Sequence, residues 1–334
     1  MRTLQLSYTL DDDLALHGLR ERYHCERKAV AVLGLSVQRT GFRLDEATEA
    51  EIKTIVARAE RHAQTALDET VGERLNVASP TQVQRYLYDT RKLRPKQKNN
   101  TKTHEERVTS DDEALTALAI QYPKERGIRL ISNIRHFRKI VGSYLGMERV
   151  NGHAWSAVNV AGTESFRWSM GVSARGFGVN AQTFPEVVRA MIVPDPGKVF
   201  VSIDLSQVEA RYVAHLARCQ SQIAMFNDPT RSFHLENARR IFGREVSKKE
   251  PAYVDAKRVG HGGNYKLGPG RLSLMLGKPF SYARKLLGEY HQQYPEIGRW
   301  HGTVRETLRR QGYLVNPFGY RRDFFDALGC RLAL

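Results

Sequence analysis

Long hydrophobic runs are missing. No stretch of about 18 apolar residues occurs in the 334 positions, which excludes a membrane-spanning helix. Cysteine is scarce: Cys25, Cys219 and Cys330 stand far apart with no CxxC pair. Neither a disulfide scaffold nor a zinc ribbon is expected, and a reducing cytoplasm is the simplest setting. The opening MRTLQLSYTLDDDLALHG carries acids where a signal peptide would place its apolar core. Acids are otherwise short: 36 Asp and Glu against 52 Lys and Arg leave a formal net charge of +16. That excess favours a polyanionic partner, and nucleic acid comes before an anionic membrane because no basic amphipathic anchor stands out. Core material is plentiful at 41% hydrophobic residues, so the chain is no disordered segment. Its length suits one large multi-lobed domain or two to three smaller ones.

Residues from about 14 to 85 read as helical. Ile52, Ile55, Val56, Ala59, Ala63, Ala66 and Leu67 keep helical spacing, with Asp45 as N-cap and Gly72 at the far end. The segment 91–102, RKLRPKQKNNTK, has six basic residues and no acid. Its Pro and Asn predict a loop, read either as a solvated linker or as a phosphate-contacting tip. Asp111, Asp112 and Glu113 precede Leu115, Leu118 and Ala119 and read as a helix start, not a metal site. From 149 to 200 scattered Gly, Ser, Asn and aromatics predict short strands and loops. After the turn signal Pro194-Asp195-Pro196-Gly197, the run Val199 to Ile203 reads as a buried strand ending at Asp204, with Ser206 capping the next helix. The chain is then mostly helical to about 311, and GYLVNPFGYRRDFF reads as a hairpin.

Two segments can carry chemistry. A strand end bearing Asp204, followed by a helix that opens with Gln207 and Glu209, is a reasonable place for a divalent ion beside a phosphate, although a capping Asp has the same local signature. In AKRVGHGGNYKLGPGRL, Lys257, His261 and Tyr265 are spaced i, i+4, i+8 and share one face of any helix they form. Lysine supplies point charge for a triphosphate, histidine a donor, and tyrosine a ring for a base or sugar. Gly260, Gly262 and Gly263 each cost a helix about 1 kcal/mol relative to Ala. They read either as a connecting loop or as places of close approach by backbone or ligand.

VSIDLSQVEARYVAHLA (201–217) closely resembles motif A of family A DNA polymerases, and KRVGHGGNYKLGPGRL resembles their motif B. GTESFRWSM, NAQTFPEVVRAMIVPDPGK, YHQQYPEIGRWHGTVRETLRRQGYLVNPFGYRRDF and SPTQVQRYLYD resemble further family segments in collinear order. The resemblance implies an α+β right-hand polymerase fold with helical thumb and fingers and a partial antiparallel palm sheet. The lobes would be a lead-in at 1–20, thumb at 21–147, palm with motif A at 148–210, fingers with motif B at 211–312, and the start of a return to the palm at 313–334. It implies template-directed DNA synthesis with primer–template DNA and deoxynucleoside triphosphates as partners and two Mg²⁺ ions in the complete enzyme. By the same resemblance Asp204 and the Leu205 carbonyl hold metal. Gln207, Glu209, His234, Lys257, Arg258, His261 and Tyr265 meet the nucleotide, and Glu209 excludes a 2′-hydroxyl. Arg91, Lys92, Arg94, Lys96, Lys98 and Lys102 at the thumb tip, with Arg167, Asn180, Gln182 and Asn264, meet DNA.

The sequence departs from the family pattern in places. Aligning Asn264-Tyr265 puts Lys257 in the family's Arg place and His261 in its Lys place. The other register would use Tyr253 and Lys257 and set His261 where the aromatic belongs. Lys266 stands where Gly is usual, and Pro269 takes a Tyr place. The HGGNY form resembles phage relatives. No His-Asp-Glu, the family's source of a second carboxylate, occurs in the 334 residues, and Asp323 and Asp326 are the nearest acids. The expectation is a polymerase truncated or split before motif C and weak or inactive alone, or a non-catalytic primer–template-binding subunit with motif C on a second polypeptide. Cys330 reads as a free thiol or as the nucleophile that opens an intein.

Overall fold

The structure, a computed structural model, describes residues 2–16, 18–99, 105–163, 165 and 167–324. Lys102, Asp326 and Cys330 lie outside the described residues. The architecture is α+β: helices dominate, and the described strands form four small antiparallel sheets. Among the described residues no helix is long and apolar enough to cross a membrane. The chain divides into two compact units, Met1–Tyr86 with Arg126–Ser202, and Leu87–Glu125 with Ile203–Leu334.

The first unit is organised around the helix Glu46–Val71, which packs along Arg126–Ser143. Its start follows from Asp45, whose side chain accepts from the Thr48 N–H at 2.8 Å, and its end from Gly72 in the left-handed conformation. Ile52, Val56 and Leu67 are buried as their spacing predicts, but Ile55 is 56% exposed. A step of three from Ile52 has rotated Ile55 off the buried stripe. The core joins Ile52 and Val56 to Ile140, Tyr144, Phe184, Val188 and Met191. Beside it lies a three-stranded sheet with Phe42–Leu44 between His153–Ala154 and Ile192–Val193, in register Phe42 with Ala154 and Arg43 with Val193. Glu49 is buried. It accepts from the Gly146 N–H at 2.5 Å and pairs with Arg149. Burial pushes its carboxyl up, yet the Gly146 hydrogen bond and the Arg149 charge outweigh that and hold it below the usual range.

The second unit begins with a short hairpin, Lys96–Asn99 against Glu106–Thr109. The sequence predicts a loop at 91–102, and 96–99 is instead strand. Cross-strand pairing and two tethers, Lys96 Nζ to Gln121 Oε1 at 3.0 Å and Lys98 Nζ to Asp111 Oδ2 at 2.8 Å, outweigh local Pro and Asn preferences. Asp111 caps Asp112–Gln121 by accepting from the Ala114 N–H, as expected of a helix start there. The expected terminal hairpin forms from Tyr313–Val315 and Arg321–Asp323, its turn closed by Asn316 Oδ1 accepting from the Phe318 and Tyr320 N–H groups.

The main body of this unit is a helical cluster. Val208–Leu216, Phe233–Phe242, Pro251–Asn264, Pro269–Leu276, Phe280–Gln293 and Pro295–Gln311 surround a core of Val213, Ala256, Val259, Leu272, Leu287 and Tyr290. GHGGN is helix, not loop. A Cβ on Gly260 would stand 2.8 Å from Asn237 Nδ2, one on Gly262 3.0 Å from Leu267, and one on Gly263 2.4 Å from the Tyr290 ring. The close approach that these glycines permit is helix packing, and it offsets their intrinsic cost.

One expectation fails outright. Residues 199–205 form no strand and are not buried: Val199 is 81% exposed, Val201 78% and Ile203 87%. Among the described residues no strand pairs with this run, so its backbone gains no ladder and its side chains no covering face. Ser206 does not cap the next helix either. Gln207 takes the N-cap position, with φ 53° and no side-chain cap.

Candidate functional site

The helix Pro251–Asn264 places Lys257 and His261 one turn apart on one face, and Tyr265 follows at its C-terminal end. These three line a cleft of about 410 Å³ together with Asp204, Leu205, Gln207, Val208, Glu209, Phe233, His234 and Asn264. Two segments some fifty residues apart in sequence thus converge on one cavity. His261 and Tyr265 rings lie 5.0 Å apart, and His261 Nδ1 is 3.9 Å from Glu209 Oε2, near the limit of an ion pair. The wall combines a carboxylate at each of two positions with a lysine and two imidazoles, so it offers both hard oxygen donors and phosphate-binding donors.

His234, on Phe233–Phe242, is the perturbed titratable group of the cleft lining. Burial, then the Lys257 and His261 charges, push its imidazole down to about 4. Its ring stands edge-on to Tyr253 at 6.2 Å. His234 Nδ1 and Gln207 Oε1 are buried with no hydrogen-bond partner. Both residues line the cleft, and orphaned polar atoms of this kind cost about 1–3 kcal/mol unless a ligand or water satisfies them. Nothing in the sequence disclosed this depression, because it depends on Phe233 and Lys257 being folded against the ring.

A pH dependence follows. His234 is neutral in the folded chain between about 4 and its ordinary value of 6.5, where the unfolded chain takes up a proton. This group's stabilisation is therefore complete above pH 6.5 and lost as pH falls toward 4. From pH 7 to pH 5 the wild type is expected to lose about 2 kcal/mol more unfolding free energy than His234→Gln. Parallel urea titrations at the two pH values measure this, and equal losses would contradict it.

Arg258 is not in the cleft. One step along the helix turns it away, and its Nη1 donates to the Met275 carbonyl at 2.9 Å. Asn264 lines the cleft, but its side chain is buried and accepts from the Tyr290 hydroxyl at 2.6 Å. Of the two possible registers, the geometry favours Lys257, His261 and Tyr265, since Tyr253 is not among the lining residues.

The profile of DNA polymerase family A matches residues 45–329. The chain belongs to DNA polymerase family A. A DNA polymerase of Mycobacterium phage D29 is 32% identical over 147 residues, which is 43% of this chain and 24% of the phage protein. The thermostable DNA polymerase I of Thermus aquaticus is 27% identical over 309 residues, 89% of this chain and 36% of that protein. The chain thus spans about a third of the length of that relative. Among solved structures, the POL domain of Pol1 from M. smegmatis in complex with DNA primer-template and dNTP aligns with a TM-score of 0.77 at 22% identity. That match covers 96% of this chain and 56% of the other, and the two share a fold.

The residues expected to meet DNA are placed individually. In the second unit Arg91 pairs with Glu125 at 2.7 Å, Lys96 and Lys98 hold the tethers described above, the Arg94 N–H donates to the Tyr122 hydroxyl, and Lys92 is exposed with φ 53°. In the first unit Arg167 is exposed. Gln182 there donates to the Trp168 carbonyl and accepts from the Met170 N–H, while Asn180 accepts from the Gln182 N–H. Asn180 and Gln182 therefore have structural work in fixing the turn beside Ser169–Gly171.

Proposed function

We propose that the chain receives the incoming nucleotide and holds the primer–template in template-directed DNA synthesis, the deoxynucleotidyl transfer of a family A polymerase. The convergence of Asp204, Glu209, His234, Lys257, His261 and Tyr265 on one cleft carries this reading. The Lys257 ammonium and the His261 ring take the triphosphate, and neutral His234 contributes an N–H donor. Tyr265 packs on the base or sugar, and Glu209 closes the space a 2′-hydroxyl would need. Catalysis is then positioning plus charge neutralisation. In the family's terms residues 1–20 are a lead-in, 21–147 the thumb, 148–210 part of the palm, 211–312 the fingers and 313–334 the return to the palm. The setting is the cytoplasm of a bacterial or phage-infected cell.

The donor chemistry around Asp204 suits Mg²⁺: a carboxylate and the Leu205 carbonyl are hard oxygens. The donor number is small, since among the described residues no three of His, Cys, Asp and Glu gather as a metal cluster. These residues suit one ion that completes its shell with water and phosphate oxygens, and a second ion needs another carboxylate. When bound, Mg²⁺ neutralises phosphate charge. We therefore propose little synthesis by these 334 residues alone. The exposed apolar run 199–205 supports a second polypeptide or segment that pairs with it and brings motif C. Without that segment the chain is a primer–template-binding subunit.

Primer extension with Mg²⁺ and deoxynucleotides, run beside binding of the same duplex at several salt concentrations, tests this reading. Salt-dependent binding with little extension is expected. Absence of any primer–template binding would overturn the function, and brisk extension would overturn the dependence on a second carboxylate.

A further inference from the structure

A second cleft, of about 350 Å³, lies past the end of the Pro251–Asn264 helix, where Lys266, His291, His301, Arg305 and Arg309 converge. Among the described residues no carboxylate lines it. Lys266 sits at φ 55°, the left-handed residue that ends this helix, with the Leu267 N–H donating to the Gly262 carbonyl at 2.8 Å. Two observations mark the cleft as a built site and not as chance surface charge. Arg305 Nε and His291 Nδ1 are buried donors or acceptors with no hydrogen-bond partner. Arg305 and Arg309 are spaced i, i+4 on Pro295–Gln311, in line with Gly298 and Gly302, beside which a Cβ would meet nothing within 4 Å, so the approach is open.

The two histidines complete the arrangement. Their rings stand 6.4 Å apart, and His301 Nε2 lies 2.9 Å from the Asn264 carbonyl. A carbonyl only accepts, so His301 carries a proton on Nε2 and donates it there. The ligand chemistry is thereby narrowed. Planar guanidinium, ammonium and imidazole groups around an open cavity without acids match a phosphate group, which takes several donors at once.

We infer that this cleft is a second phosphate-binding site, separate from the nucleotide cleft and joined to it through the His301–Asn264 contact. It receives a phosphate either of a single-stranded nucleic acid or of a free small anion such as diphosphate. The site stands on its own geometry and does not require the chain to synthesise DNA.

The test compares the full chain with a Lys266→Gly/Arg309→Gln variant and with an equal-charge control, Arg284→Gln/Lys285→Gln, altered on the Phe280–Gln293 helix outside this cleft. Lys266→Gly also relieves the left-handed backbone, so the variant is expected to melt no earlier than the wild type. A Lys266→Gln/Arg309→Gln version serves if it does. The probes are a primer–template with a long 5′ template overhang, a blunt duplex of the same length, and inorganic diphosphate. A loss of about tenfold for the overhang, with the salt slope reduced by about 0.7 per lost contact and the blunt duplex unchanged, supports a strand phosphate. Loss of diphosphate binding alone supports a free anion. Unchanged binding of every probe, or an equal loss in the control, overturns the site.

Discussion

Asp204→Ala is expected to lower deoxynucleotide incorporation at least about 10³-fold. The comparison is made wherever incorporation is measurable, in this chain or in the chain supplied with a polypeptide that bears a second carboxylate. Asp204 is exposed, outside any helix or strand, at the mouth of the cleft shared by Lys257 and His261, so its loss costs little folding free energy. The triphosphate should still bind in the absence of Mg²⁺, and slightly better, because an anion has left a cleft whose ligand is anionic. A purely structural Asp204 would give the opposite pattern, with an early melting transition and weakened nucleotide binding. Asp323→Ala is the companion measurement. Its carboxylate is paired with Arg321 at 2.6 Å in the terminal hairpin, and its removal is expected to change incorporation less than about threefold. Equal losses in the two variants would make Asp323 the second carboxylate, and these residues would then hold a complete metal set.

Features set by nearest neighbours along the chain are legible in the residues themselves. Asp45, Gly72 and Asp111 occupy the cap positions their residue types favour, and the NPFG turn folds the terminal strands onto each other. The shared face of Lys257, His261 and Tyr265 also follows from spacing alone, because a helix fixes where i, i+4 and i+8 point.

The features that local sequence does not disclose depend on partners distant in the chain. The 199–203 run has the composition of a buried strand, but burial requires a neighbouring strand, and the described residues supply none. The basic strip 91–98 has the composition of a free loop, yet Glu125, Gln121 and Asp111 arrive from farther along the chain to hold Arg91, Lys96 and Lys98. Arg258 shares its segment with Lys257, and only the helix rotation separates their tasks. Likewise the depressed His234 and the second basic cleft come from packing between helices, where no local pattern announces them.

The packing of the glycines in GHGGN gives the largest stability effect. Gly263→Ala is expected to destabilise the chain by about 2–3 kcal/mol, whereas Gly288→Ala, also within a helix, is expected to stabilise it by about 0.5–1 kcal/mol. The intrinsic helical gain is the same at both sites, so the difference isolates packing. At Gly288 a Cβ meets nothing within 4 Å, while at Gly263 it would stand 2.4 Å and 2.5 Å from two ring carbons of Tyr290. That ring has little room to retreat. It is fully buried, its hydroxyl donates to Asn264 at 2.6 Å and accepts from Gln222 Nε2 at 3.2 Å, and Tyr294 stands against it at 5.0 Å. Relief must come from the Pro251–Asn264 helix moving outward, which displaces Lys257, His261 and Tyr265 together. Nucleotide affinity should therefore fall in Gly263→Ala under conditions where the chain is still folded, and remain unchanged in Gly288→Ala. Chemical denaturation of both variants beside nucleotide titrations reads the two effects. A Gly263→Ala chain as stable as wild type would mean that the Tyr290 ring shifts freely and that the helix carrying the cleft is not pinned by it.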